Sequence, residues 1–206
     1  MPRAHRTSNQ DNGDFLMNIQ NELIARNACF AATFERGDMP MLPQLRTLIV
    51  TCIDARVDPA HILGLDLGEA IVARNNGGRV TRAVIEEILT LTVLVGAATG
   101  GQESAFNIVL LQHTNCGAQR LADPQLQGML QQKFGIDVSE YAITDQAADL
   151  MTDIGRLADA PGMPGEMTVS AMVYDVATGA VQEVAPVKSL AEYRAANVDA
   201  AVPMAE

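Results

Sequence analysis

Residues 47–58 read TLIVTCIDARVD, and the change of character inside that stretch governs how the rest of the chain is read. Leu48, Ile49 and Val50 form an unbroken apolar run. That is the pattern of a strand buried on both faces of a parallel sheet, not the alternation of a half-exposed one. The strand then ends in Cys52, Asp54 and Arg56. Side chains two apart on an extended segment share a face, so a thiol, a carboxylate and a guanidinium stand side by side at the end of a core strand. Charge in such a place is costly unless the groups pair with one another or with a ligand.

Downstream, EAIVARN (69–75) reads as a second strand, broken by Asn76, Gly77 and Gly78. VTRAVIEEILTLTVLVGAAT (80–99) places Val80, Val84, Ile88, Leu91 and Val95 at spacings of three and four, a helix with one wide apolar face. After Gly100 and Gly101, FNIVLLQHTNCG is a third buried strand that ends at a second chemical cluster, His113 and Cys116. The order strand, strand, helix, strand predicts an α/β fold with a mostly parallel sheet and its chemistry at the carboxyl ends of the strands. The stretch 123–164 is more polar and mainly helical; DQAADLMTDIGRL is its clearest helix and PGMPG closes it. TVSAMVYDVATGAVQEV then predicts a strand, a turn at 177–179 and a short second strand. Upstream, Phe15 to Arg36 carries Leu16, Ile19, Leu23, Ala28, Phe30 and Phe34, an amphipathic helix ended by Gly37 and Pro40. Cys29 lies inside it and needs only core packing.

The 206 residues, 48% hydrophobic and 19% charged, suit one domain with a continuous core and are too apolar for a disordered chain. A net charge of −11 argues against a nucleic-acid phosphate track, which needs a basic stripe that this sequence does not offer. No apolar run reaches the roughly 18 to 20 residues of a membrane span. The N-terminal stretch, which includes His5, is polar and lacks the apolar segment of a secretory signal, so a cytoplasmic protein is expected. Three cysteines make a poor disulfide framework, and Cys52 and Cys116 read better as buried thiols or metal ligands.

Two thiolates, one imidazole and a fourth position make a tetrahedral zinc site, and the two strand ends supply that set. Plain packing is the simpler reading for a Cys or His beside a core strand. A closed structural zinc with Asp54 as fourth ligand is another. Arg56 counts against it, because a buried cation beside a metal needs an anion of its own.

The pairing of CIDAR with HTNCG, with ARNNGG between them, resembles the β-class carbonic anhydrases, whose signature is CxDxR, an R-N-A-G segment and HxxCG. The likeness is close over about residues 47–121 and looser over the VYDVATG stretch. It implies a mostly parallel four- to five-stranded sheet flanked by helices, with an N-terminal helical arm. The implied layout is a single domain over 1–206: an arm helix at 15–37, a zinc-site core at 44–122, a helical segment at 123–165, and a C-terminal strand and tail at 166–206. It also implies Zn2+ held by Cys52, His113 and Cys116. Asp54 and Arg56 become a catalytic dyad, with Asp54 a fourth ligand in a closed state, and Asn75, Asn76, Gly77 and Gly117 a substrate pocket. The implied activity is that of a carbonate dehydratase: reversible hydration of carbon dioxide to bicarbonate and a proton by zinc-bound hydroxide. The implied assembly is a homodimer or a dimer of dimers, the arm wrapping a partner. Hydrolysis of carbonyl sulfide or carbon disulfide on the same site is the alternative activity. A non-catalytic zinc-binding interaction protein is the alternative of a different class, and the presence of both Asp54 and Arg56 argues against it. Asn76 departs from the usual Ala, Asn115 stands where many relatives carry Asp or Ser, and the absence of Trp excludes a bicarbonate site built with one. His61 is a conceivable proton shuttle, although a solvent-facing helix histidine is the plainer reading.

Overall fold

Leu48, Ile49 and Val50 lie in strand β1 (Thr47–Cys52), flanked by β2 (Ala70–Asn75) and β3 (Asn107–His113). With β4 (Thr168–Tyr174) and β5 (Val181–Ser189) they form one sheet in the order β2-β1-β3-β4-β5. Neighbours among β1 to β4 run parallel, and β5 is antiparallel to β4. The computed structural model describes residues 10–101 and 105–201, so His5 lies outside the described residues. The chain divides into two compact units, Met1–Met39 and Pro40–Glu206, and the sheet belongs to the second.

Both faces of the central strands are covered, as a continuous apolar run requires. Leu48, Val50 and Leu110 pack with Val84 and Ile88 of helix α3 (Arg82–Ala98) and with Leu150 and Ile154 of α5 (Gln146–Asp159). Ile49 and Leu111 face the other way, against Val57 and against Ile62 and Leu63 of α2 (Pro59–Leu63). Each of these helices starts at a side-chain cap that accepts an otherwise unpaired backbone N–H: Asp58 for α2, Thr81 for α3 and Asp145 for α5. Helix α4 (Pro124–Phe134) is capped the same way by Asp123 and ends at Gly135 in the left-handed region. Thr47 lies level with Ala70 and Asn107, and Cys52 with Asn75, which brings the carboxyl ends of β1, β2 and β3 close together.

The first unit holds α1 (Gln10–Ala31), which starts before Phe15 and stops short of the expected Arg36. The end tightens into three-residue bonds from Thr33 N to Phe30 O and from Phe34 N to Ala31 O, and the Thr33 hydroxyl donates to the same Phe30 carbonyl. Cys29, expected to be packed, is exposed on α1, as are Ile19, Leu23, Ile24 and Phe30. A single helix has no core of its own in which to bury them.

The C-terminal segment also differs from expectation. β5 is nine residues long, not short, and the expected tail forms helix α6 (Leu190–Ala201). Its start is a capping box: Ser189 N donates to Glu192 Oε2 at 2.8 Å, and Glu192 N donates to Ser189 Oγ at 3.2 Å. Arg194 then donates to the carbonyls of Ala158 and Met163, tying α6 to the end of α5. No helix among the described residues is long and apolar enough to cross a membrane.

Candidate metal centre

Cys52 and His113 are the last residues of two adjacent parallel strands, so register alone brings them together. Cys116 follows three residues later, at the start of a 3-10 stretch (Gly117–Ala122). The chain turns back at Asn115, which has φ +52°, a conformation that asparagine tolerates far better than most residues. The donor atoms of the three side chains all lie within 4.8 Å of one another, and all three residues are buried.

The set fits zinc. The two sulfurs are 3.7 Å apart, and two thiolates on one tetrahedral zinc, each at about 2.3 Å from it, stand about 3.8 Å apart. His113 Nδ1 lies 2.9 Å from the Thr114 carbonyl and donates to it, which leaves Nε2 with its lone pair. That Nε2 is buried and has no hydrogen-bond partner among the described residues. The Cys52 thiol is driven strongly down, first by the hydrogen bond from Cys116 and then by His113 and the Asp54 N–H. Cys116 is driven up by the hydrogen bond it shares with Cys52 and by burial. A metal held by both as thiolates displaces their protons.

Asp54 and Arg56 form a bidentate pair beside the cluster. Arg56 Nε donates to Asp54 Oδ1 at 2.9 Å and Nη2 to Oδ2 at 2.7 Å, while the Arg56 backbone N–H donates to Oδ1 at 2.9 Å. The Arg56 side chain and then its backbone N–H hold the Asp54 carboxyl well below the usual carboxylate range. Nη2 also donates to the Asn115 carbonyl, linking the two halves of the site. Arg56 is half exposed, so it bears little of the burial cost that weighed against a cation here. Asp54 Oδ2 is 3.9 Å from His113 Nε2.

A cavity of about 210 Å³ opens beside Cys52 and Asp54, walled by Ile53, Asn76, Gly77, Gly117, Ala118 and Leu121. Asn75 plays a different part: its side chain donates to Arg79 O at 2.7 Å and accepts from Arg79 N at 2.9 Å, closing the turn. Gly78, at φ +63°, lies so close to β1 that a Cβ there would stand 2.8 Å from the Thr51 carbonyl carbon and 2.9 Å from Cys52 N. The Asn-Gly-Gly turn is therefore packed directly against the strand that carries Cys52. His61 sits exposed on α2, 3.6 Å from Asp58 Oδ1, and is not part of the cluster.

Sequence reasoning missed three neighbours. Gln146 of α5 donates to the His113 carbonyl at 3.0 Å. Arg79, fully buried, donates to the Ala142 carbonyl and pairs with Asp149 and Asp153 of α5. The i, i+4 spacing of those aspartates on an amphipathic helix was the available signal for a buried cation. Gln112, beside His113, is wholly buried with both amide atoms unpartnered among the described residues.

Residues 47–134 match the family described as Carbonic anhydrase. The chain is 33% identical over 172 residues to Beta-carbonic anhydrase 1 of Mycobacterium tuberculosis, covering 82% of this chain and 100% of that one. It is 28% identical over 160 residues to Carbon disulfide hydrolase of Saccharolobus solfataricus, covering 65% and 74%. A crystal structure of carbonic anhydrase from Streptococcus mutans superposes with a TM-score of 0.65 at 33% identity, over 81% of this chain and 97% of that one.

Proposed function

This chain belongs to the β-carbonic anhydrases, and on that footing we propose that it hydrates carbon dioxide reversibly to bicarbonate and a proton, as a carbonate dehydratase with zinc on Cys52, His113 and Cys116. His113 carries the reading: its buried, unpartnered Nε2 lies within 4.8 Å of two thiols whose sulfurs stand at the spacing of a shared tetrahedral ion. Bound there, zinc supplies Lewis-acid activation of a water, bringing its pKa from about 15.7 toward about 7.

The chain's own residues supply the alignment. Arg56 occupies both Asp54 oxygens, which fixes the rotation of the carboxylate and leaves one lone pair, on Oδ2, to accept a hydrogen bond from the attacking water. Asp54 is engaged by Arg56 here, and its use as a fourth ligand to a bound zinc would require that pairing to loosen. Gly77, Gly117, Ala118 and Leu121 leave room for a small linear electrophile and give it an apolar wall, with Asn76 as the polar edge. Stopped-flow hydration of carbon dioxide by the zinc-loaded protein is the test, and absence of turnover overturns the reading. The Saccharolobus relative, named a carbon disulfide hydrolase, supports a second reading with sulfide substrates. Turnover of carbon disulfide or carbonyl sulfide above that of carbon dioxide in parallel assays would establish it.

A second copy of the chain is the proposed macromolecular partner, giving a homodimer or a dimer of dimers. Among the described residues β2 is an edge strand with no neighbour on its outer side, and beside it runs a groove of about 700 Å³ whose walls include Leu48, Ile71, Val72, Val84 and Leu91. Residues 15–37, with exposed apolar side chains on α1, are the proposed arm. Light scattering should return twice or four times the chain mass; a monomer refutes this. A reducing, cytoplasmic setting is proposed with it, since two free thiols 3.7 Å apart must stay reduced to bind metal.

A further inference from the structure

Arg74 stands on β2 level with Thr51 of β1, and its side chain reaches across to the neighbouring segment. Nε donates to the Cys52 carbonyl at 3.0 Å, and Nη2 donates to the carbonyls of Asp54 at 2.8 Å and Val57 at 2.7 Å. Those three oxygens bracket the segment that carries a metal ligand at one end and the Asp54–Arg56 pair in its middle. Residues 53–57 belong to no helix or strand. The backbone bonds that hold them are few: Ile53 N to Asn75 O at 2.9 Å and Val57 N to Asp54 O at 3.0 Å. Arg56 ties Asp54 to the Asn115 carbonyl, and the loop's own carbonyls are left to Arg74. A planar, five-donor guanidinium can meet three carbonyls at once, whereas a lysine ammonium on its flexible stem cannot hold the same geometry.

We propose that Arg74 is a positioning residue for the hydration reaction: it clamps residues 52–57 in the turn that aims the Asp54 carboxylate, without touching the reacting atoms. This rests on the function proposed above. The clamp sets where Asp54 points relative to Cys52, and misplacement of such a group by about 1 Å costs on the order of 100-fold in rate.

The test compares full-length Arg74→Ala and Arg74→Lys with the wild-type protein, all zinc-loaded, by four readouts: zinc stoichiometry, Tm, hydrogen–deuterium exchange of a peptide spanning 52–58, and kcat/KM for carbon dioxide hydration. In Arg74→Ala, zinc should stay at the wild-type ratio while exchange of the 53–57 amides quickens. Its kcat/KM should fall about 10- to 100-fold and recover in part with millimolar guanidinium ion, which should leave the wild type unaffected. Arg74→Lys should fall between the two. Unchanged kcat/KM in Arg74→Ala overturns the proposal, and so does activity lost together with zinc, or lost with no change in exchange. A wild-type protein that fails to hydrate carbon dioxide overturns the functional reading instead, and the exchange measurement, made without substrate, still decides whether Arg74 clamps the loop.

Discussion

Arg79 and Asp153, 74 residues apart in sequence, meet in a buried bidentate ion pair, with Nε 2.8 Å from Oδ2 and Nη2 3.2 Å from Oδ1. Asp153 is fully buried, and that burial pushes its carboxyl above the ordinary range; Arg79 is the chief opposing influence. The turn that packs against β1 is thereby anchored to α5. Removing one partner of such a pair leaves an uncompensated charge inside, at a cost of about 3–5 kcal/mol, while replacing both with apolar groups is far milder. Arg79→Met should therefore destabilise the protein by about 3 kcal/mol, the lower end, because Arg156 still reaches Asp153. The double variant Arg79→Met/Asp153→Leu should recover most of that. Urea unfolding checks both, and an Arg79→Met curve superimposable on the wild type would refute the anchor.

Asp54 has the opposite shift, and its sign can be followed through acid unfolding. Its folded pKa lies below the unfolded value of about 3.9, so its contribution to stability is fully present above that value and is lost as pH falls through the folded one. In metal-free protein, Asp54→Asn should flatten the loss of stability below about pH 4. Parallel stability–pH curves for the two proteins would show that the Asp54–Arg56 pair contributes nothing.

Gly78→Ala tests the approach of the turn to the metal strand. The new Cβ meets backbone at 2.8–2.9 Å, where no flexible side chain can give way, and φ +63° disfavours any Cβ. Lowered Tm and weakened zinc binding are expected together, since Cys52 must shift. A variant with wild-type zinc affinity would show that the approach is not needed.

Gln112→Leu should stabilise the fold. The apolar replacement has similar length and removes two polar groups unpaired among the described residues, each worth about 1–3 kcal/mol when left without a partner in a core. Differential scanning calorimetry should show a higher Tm with zinc content unchanged, and a drop in Tm would mean that the amide is satisfied in the folded protein.

Cys52→Ser and His113→Ala should lose zinc and carbon dioxide hydration together, and a chelator should remove both from the wild type. Stoichiometric zinc with full activity in either variant refutes the ligand assignment.

What the sequence determined by itself was local or carried by residue type. The run at 48–50 announces a strand covered on both faces, and the spacing from Val80 to Val95 announces the crossover helix, because hydrophobic periodicity reports burial without reference to distant residues. Cys52, Asp54, Arg56, His113 and Cys116 were legible as a set because thiolate, imidazole and carboxylate at strand ends are chemically conspicuous. The Ser189–Glu192 capping box, which starts α6, was equally local and went unread. Only the tertiary structure decided what Arg74 and Arg79 do. Their partners are backbone carbonyls and carboxylates chosen by strand register and by the packing of α5, and no pattern in a linear chain states which of many acceptors a guanidinium will meet. The same holds for the fork between Arg56 and Asp54, whose geometry is set by the turn after β1.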